Sequence, residues 1–342
     1  MNSRERVCAA MRYRPVDRAP VQYYYCPVGY YEHGDKLNKL YASLPGDFSP
    51  HINVPVPVIP PEHFDENGDY HAFIRDGWGT LTEYRIFGIA GIPCEYPLAD
   101  IEKLDEYKFP APPVCSGEWF EARKKAIADH KKDYYALEGG GSLFERLKAL
   151  RSDEDVLCDI ALNTDEINRL ADMITDFDIE CVKCAIAAGA DGIAFGDDYG
   201  SEREMLLAPD MWRKFFLPRL KKILRPAAEA DLDVLFHSCG NITPILGDLR
   251  EAGANAVWPQ IPAYNMEWLA KRCREFGLAV AIHTDRANTM TFGSPQEVRD
   301  LVKREFETFR VMDGGAWFYI EADNGFPYEN LEALVTTIAE YR

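Results

Sequence analysis

The sequence predicts an α/β protein built as a TIM (β/α)8 barrel, with an N-terminal loop/hairpin extension over the barrel mouth. Three observations carry this. Over the last 210 or so residues, short apolar runs alternate with helix-period segments, the signature of a parallel sheet covered by helices. Those runs are nearly continuous in apolar residues, as strands buried on both faces must be. No G-x-G-x-x-G opens a helix, which counts against the doubly wound open sheet that is the alternative. A chain of 342 residues fits one such domain, residues 1–342.

The elements follow in order. APVQYYY (19–25) reads as the first strand. Residues 26–130 are rich in Pro, Tyr and Gly with few clean helices, so we expect an inserted lid there. Six strand-then-helix units follow. YYALEGG (134–140) precedes SLFERLKALR, and DGIAFGDD (191–198) precedes a helix opening near Pro209. DVLFHSCG (233–240) leads into ITPILGDLREAG, and NAVWPQ (255–260) into MEWLAKRCREFG. LAVAIHTD (278–285) leads into SPQEVRDLVKREFETFR, and AWFYIEAD (316–323) into YENLEALVTTIAEY. Thr164 precedes an acidic first turn, Ser294-Pro295 reads as N-cap plus N1 proline, and Gly253 and Gly277 follow last turns.

Charge narrows the function. With 38 Lys+Arg against 56 Asp+Glu the net charge is −18, which opposes nucleic acid and anionic membrane surfaces. No stretch approaches the roughly 20 apolar residues of a transmembrane helix. The opening MNSRERVCAAMRYR has no apolar signal region, so a cytoplasmic protein is expected. The nine Cys are an odd number in a long chain, and no disulfide framework is expected. Cys181 and Cys184 form a C-x-x-C inside a helix-period run, with no second pair to complete a zinc site.

In a barrel of this type the active site lies at the C-terminal strand ends. Those ends carry Glu138, Asp197-Asp198-Tyr199, His237-x-Cys239, Gln260, His283-x-Asp285 and Glu321-x-Asp323. Side chains of a strand alternate, so His237 and Cys239 project to one side while Ser238 points away. An imidazole and a thiolate side by side suit Zn²⁺, although a core histidine beside a buried cysteine gives the same pattern. A third ligand is needed, and Glu321 is the first choice, with Asp323 and Asp285 behind it. His283 and Asp285 repeat the period-two logic and are the candidates for general acid–base work. Glu138, Asp197, Asp198, Tyr199, Gln260 and Asp323 are candidates for holding substrate; one of the Asp197-Asp198 pair is expected to bond loop amides instead.

These motifs also carry a resemblance. GADGIAFGDDYGS (189–201), LAPDMWRKFFLPRLKKI (207–223), HSCGNI (237–242) and WPQ (258–260) resemble the superfamily of uroporphyrinogen decarboxylase and the cobamide-dependent methyltransferases. Weaker likeness extends to RPVDRAPV (14–21), the WGT and PLADIEKL segments (78–80 and 97–104), and FGSPQEVRDLV and PYENLEALV (292–302 and 327–335). The resemblance implies a TIM barrel. The decarboxylases carry an Arg-Gln-Ala-Gly-Arg run after the entry strand that holds porphyrinogen carboxylates. Here Gln22–Tyr30 contains no Arg, so that branch is disfavoured. The methyltransferase branch implies zinc held by an H-x-C and a further Cys at the last strand end. His237 and Cys239 match, and Glu321 stands where Cys is usual. The reading is therefore a zinc-dependent methyltransferase passing a methyl group between a small methyl ether, amine or thiol and a corrinoid (a methylcobamide) carried by a partner protein. A homodimer is an option. The alternatives are a metal-free decarboxylase-like lyase and a non-catalytic corrinoid- or tetrapyrrole-binding module.

Overall fold

Residues 1–51 and 53–342 are described by the computed structural model. All seven expected apolar runs form strands. β1 (Val21–Tyr23) is followed by an antiparallel trio, β2 (Ala72–Arg75), β3 (Leu81–Tyr84) and β4 (Ile92–Glu95). Then come β5 (Leu137–Gly141), β6 (Gly192–Gly196), β7 (Asp233–Ser238), β8 (Ala256–Pro259), β9 (Ala279–His283) and β10 (Ala316–Ile320). β1 and β5–β10 make one parallel sheet in the order β1-β10-β9-β8-β7-β6-β5.

Strand alternation divides the core in two. Ile193, Phe195, Val234, Phe236, Val257, Val280, Ile282, Phe318 and Ile320 face the helices. Leu235, Ala256, Ala279, Ala281, Trp317 and Tyr319 face the lumen, where three alanines make room for the two large rings. Two residues further along each strand, the lumen face continues with His237, Trp258, His283 and Glu321. The helices end where their caps dictate. Thr164 accepts from the Ile167 amide, Ser294 and Glu297 form a reciprocal capping box, and Gly277 closes its helix in the left-handed region.

The expectation of a closed eight-stranded barrel is corrected. The sheet is open, with seven strands and edges at β1 and β5 among the described residues. The chain leaves β1 into helices Pro27–His33 and Asp35–Ala42 instead of a second strand unit, so the region expected to be loop is partly helical. The segment at Asp47 spans the gap. Its amide donates to the Val21 carbonyl at 2.7 Å, and its carbonyl accepts from the Tyr135 amide at 3.3 Å. The Asp47 side chain is fully buried and receives the Val21 amide, Arg6 Nη1 at 2.6 Å and Arg342 Nη1 at 3.0 Å.

The β2-β3-β4 trio docks on the helix Phe144–Leu150 that follows β5. Arg146 pairs with Asp76 at 3.0 Å and covers the Trp78 ring, and the Thr80 hydroxyl donates to the Ala149 carbonyl. The expectation of no disulfide is also corrected: Cys115 and Cys184 are joined, leaving Cys181 free. Sequence could not show this, because it depends on the strap before helix Glu118–His130 running across helix Asp165–Ala188. Among the described residues, no helix is long and apolar enough to cross a membrane.

Removing one partner of a buried ion pair strands the other charge, at a cost of about 3–5 kcal/mol. Asp47→Ala should therefore lower the urea-unfolding free energy by roughly that amount, whereas Asp17→Ala, at an exposed site, should cost about 1 kcal/mol or less.

Candidate metal centre and active site

β7 ends in His237-Ser238-Cys239-Gly240, and the structure brings the imidazole and thiol together, with Cys239 Sγ 3.4 Å from His237 Nε2. The third group is Asp198, just beyond β6, with Oδ1 3.4 Å from the same nitrogen. Among the described residues these three are the one set of His, Cys, Asp and Glu whose ligand atoms lie within 4.8 Å of one another. Close backbone packing puts Asp198 there. A Cβ on Gly240, at φ +70°, would lie 2.2 Å from the Gly200 carbonyl carbon, so the loops after β6 and β7 can touch. The Asn241 amide donates to the Ser201 carbonyl, the Tyr199 amide to the Ser238 hydroxyl, and the Cys239 amide to Asp198 Oδ1.

Hydrogen bonds fix the tautomers. His237 Nδ1 lies 2.8 Å from the Trp258 carbonyl, which only accepts, so Nδ1 carries the proton and Nε2 presents its lone pair. That lone pair meets a carboxylate oxygen and a thiol whose single proton can serve only one of the two acceptors, so one acceptor is left that a cation would compensate. For tetrahedral Zn²⁺ with N and O ligands near 2.0–2.1 Å, the ligand atoms sit about 3.4 Å apart, matching the 3.4 Å between His237 and Asp198. The donor set fits a divalent zinc ion. Burial lowers the pKa of His237, and burial with the nearby Asp198 pushes the Cys239 thiol up to about 12.

Glu321 stands elsewhere. It receives His283 Nε2 at 3.2 Å and Arg286 Nη1 at 3.3 Å, while Arg286 Nη2 reaches Asp323 at 3.2 Å. The carboxylate beside His237 and Cys239 is therefore Asp198, not Glu321, because the strand carrying Glu321 lies three places from β7 in the sheet. Burial alone would raise the Glu321 pKa, but the His283 bond and the Arg286 charge hold it below the ordinary value. The Trp258 indole N–H donates to His283 Nδ1, so His283 spends its N–H on Glu321 and its lone pair on Trp258. Neither nitrogen is free for proton exchange in this geometry.

The other expected residues divide. Asp285 accepts from the Ala287, Asn288 and Thr289 amides and shapes the loop that carries Arg286. Asp197 is fully buried, accepts from the Leu143 and Glu145 amides and from Tyr199, and is pushed up to about 7 by burial. The Asp197-Asp198 pair thus splits between a loop-bonding residue and a site residue. Tyr199 is buried against Phe144 and Phe216, away from the mouth. Gln260 accepts from the Gly240 amide, and Glu138 pairs with Arg123 of the helix that precedes β5. A cavity of about 130 Å³ is lined by His237, Cys239, Trp258, Gln260, His283 and Arg286, among others. Trp258, Tyr319 and Arg286 were missed from sequence. The signal for the first two was lumen-face alternation, two residues beyond Ala256 and Trp317.

Residues 134–341 match the family model for uroporphyrinogen decarboxylase (URO-D). The chain belongs to the URO-D family. A uroporphyrinogen decarboxylase from Xanthomonas axonopodis pv. citri is 28% identical over 190 residues, 53% of this chain and 48% of that protein. The chain thus spans about half the length of the curated decarboxylases it matches. A methylcobamide:CoM methyltransferase from Methanosarcina mazei is 34% identical over 93 residues, 27% of each chain. A solved methyltransferase from Methanosarcina mazei shares the fold, with a TM-score of 0.66, 19% identity, and coverage of 100% and 99% of the two chains. This URO-D family member is therefore related to both the decarboxylase and the methylcobamide methyltransferase branches.

Behind the site, Glu305 is buried against the Thr284 hydroxyl at 2.8 Å, and burial raises its pKa from 4.5 to about 8. Between those values the folded state holds a proton that the unfolded chain has lost, so stability falls as pH rises through the window. Glu305→Gln keeps a neutral side chain. Its thermal midpoint should exceed that of the wild type above pH 8 and approach it below pH 4.5, measured by circular dichroism.

Proposed function

We propose that this URO-D family member is a zinc-dependent methyltransferase acting between a small substrate and a corrinoid carried by a partner protein. The observation that carries the reading is the convergence of the His237 Nε2 lone pair, Cys239 Sγ and Asp198 Oδ1 within 4.8 Å of one another, with the latter two each 3.4 Å from that nitrogen. The likeness to a methylcobamide:CoM methyltransferase supports the corrinoid half. The mouth supports methyl transfer over porphyrinogen decarboxylation. Gln22–Tyr30 offers no Arg, and Arg286, among the cavity residues, is already paired with two carboxylates.

A zinc ion held by Asp198, His237 and Cys239 supplies a Lewis acid that lowers a thiol pKa or polarises a methyl ether or amine. The chain's residues do the rest. Trp258 orients His237 through its carbonyl and packs against it at 4.1 Å between ring centroids, keeping Nε2 turned to the ligand position. Gln260 and Tyr264 hold the Gly240 backbone so that Cys239 cannot drift. Tyr24, Trp258 and Tyr319 form an aromatic wall that excludes water from the reacting heteroatom. Asp198 places a negative charge beside the thiolate, favouring a cation there over a free anion.

Metal analysis of the protein purified without added chelator should find about one zinc per chain. Asp198→Ala, His237→Ala and Cys239→Ala should each lose it, while Glu321→Gln keeps it. A native protein without metal sinks the reading. Zinc retained by Asp198→Ala but lost in Glu321→Gln would move the third ligand to β10.

A further inference from the structure

Two carboxylates at the end of β10 are left over by the metal centre. Glu321 is 5% exposed and Asp323 is 8% exposed. Buried carboxylates need close compensation: Glu321 receives the His283 N–H and Asp323 the Asn324 amide, and the one cationic side chain paired with both is Arg286. Arg286 comes from the loop after β9, its side chain is 49% exposed, and it gives one nitrogen to each carboxylate at 3.3 and 3.2 Å. Charge-assisted bonds are usually about 2.7–2.9 Å, and a tight arginine–carboxylate pair is bidentate. Arg286 is neither short nor bidentate to either partner, so it fills the position loosely from outside.

A further observation points the same way. The Tyr319 hydroxyl is buried without a hydrogen-bond partner. Tyr319 stands two residues before Glu321, so strand alternation turns it to the same lumen face. Its ring packs on Trp258, His283 and Tyr24, which places it under the mouth. Glu321, Asp323 and Tyr319 therefore offer oxygen acceptors on the lumen side of β10, next to aromatic faces that favour a cation. Charge around the mouth agrees. Among the described residues lining the cavity with His237 and Cys239, Arg286 is the one Lys or Arg, and it is already shared by two carboxylates, so an anionic group entering here finds no free cation.

We propose that Glu321, Asp323 and Tyr319 are the receptor for an ammonium group on the substrate, with Arg286 the placeholder that it displaces. An –NH3⁺ carries three donors, one for each of these oxygens. The substrate is then a small molecule with an ammonium group at one end and a methylatable heteroatom at the other, of the aminothiol class. The heteroatom end rests on the zinc reading above; the ammonium end does not. Arg286 then has a role of its own, on a loop shaped by Asp285 that is separate from the segments carrying Asp198, His237 and Cys239.

The two ends can be tested apart. Chelator-treated protein is titrated calorimetrically with ethylammonium and with propionate. Ethylammonium should bind and propionate should not. Arg286→Ala, at a half-exposed loop position and checked for an unchanged circular-dichroism spectrum, should tighten ethylammonium several-fold. Glu321→Gln and Asp323→Asn should each weaken it at least tenfold, and Tyr319→Phe less. Cobalt-substituted protein is then titrated with 2-aminoethanethiol, 2-mercaptoethanol and 3-mercaptopropionate, following the thiolate-to-metal absorption band. The aminothiol should saturate at the lowest concentration, and the Glu321→Gln variant should erase its advantage over 2-mercaptoethanol. Binding of propionate or 3-mercaptopropionate that Arg286→Ala abolishes would overturn the proposal, making Arg286 an anion receptor. Ethylammonium that does not bind metal-free wild type or Arg286→Ala overturns it as well. A protein that takes up no metal yet binds ethylammonium as described keeps the receptor and discards the zinc reading.

Discussion

The buried carboxylate of Asp47 is the interaction on which the curled sheet depends. β1 and β5 are strand edges that do not pair, so the twist that curls the sheet leaves a gap between them that another segment must bridge. Asp47 bonds the β1 backbone with its amide and side chain and the start of β5 with its carbonyl. Arg6 from the first helix and Arg342 from the last residue converge on its oxygens. One side chain thus holds the first helix, the entry strand, the gap and the C-terminus together. It braces the two free edges of a sheet whose paired central strands, β6 to β10, present their C-terminal ends to one mouth.

Given the curl, the site follows from strand arithmetic. A lumen position recurs every second residue, so each strand adds a layer, and the uppermost layer carries His237, Trp258, His283 and Glu321 above Leu235, Ala256, Ala281 and Tyr319. Trp258 links both histidines, by its carbonyl to one and its indole to the other. It fixes them in opposite tautomers. His237 turns a lone pair outward for a cation, and His283 turns a proton toward Glu321. The same residue type is thereby given two different roles by the single tryptophan between them.

The acidity of the chain has a corresponding geometry. Part of its net charge of −18 lies on solvated helix faces, but Asp198, Asp285, Glu321 and Asp323 gather at one end of the sheet. There the charge is divided by use. Asp198 faces the cysteine and histidine, Asp285 is spent on backbone amides, and Glu321 and Asp323 share one arginine.

Sequence by itself determined the strand–helix alternation, all seven parallel strands, the helix caps at Thr164, Ser294 and Gly277, and the side-by-side projection of His237 and Cys239. These depend on local rules: apolar runs, capping chemistry and the two-residue period of a strand. Only the tertiary structure decided that Asp198 and not Glu321 stands beside that pair, that Asp197 turns inward to cap a helix, and that the sheet stays open beside β1. It also decided that Cys184 is joined to Cys115 and that Arg286 lies over two carboxylates. Each of these depends on which loops meet across the mouth. The contact between Gly200 and Gly240 shows why, since two chain segments forty residues apart touch only because neither carries a side chain there.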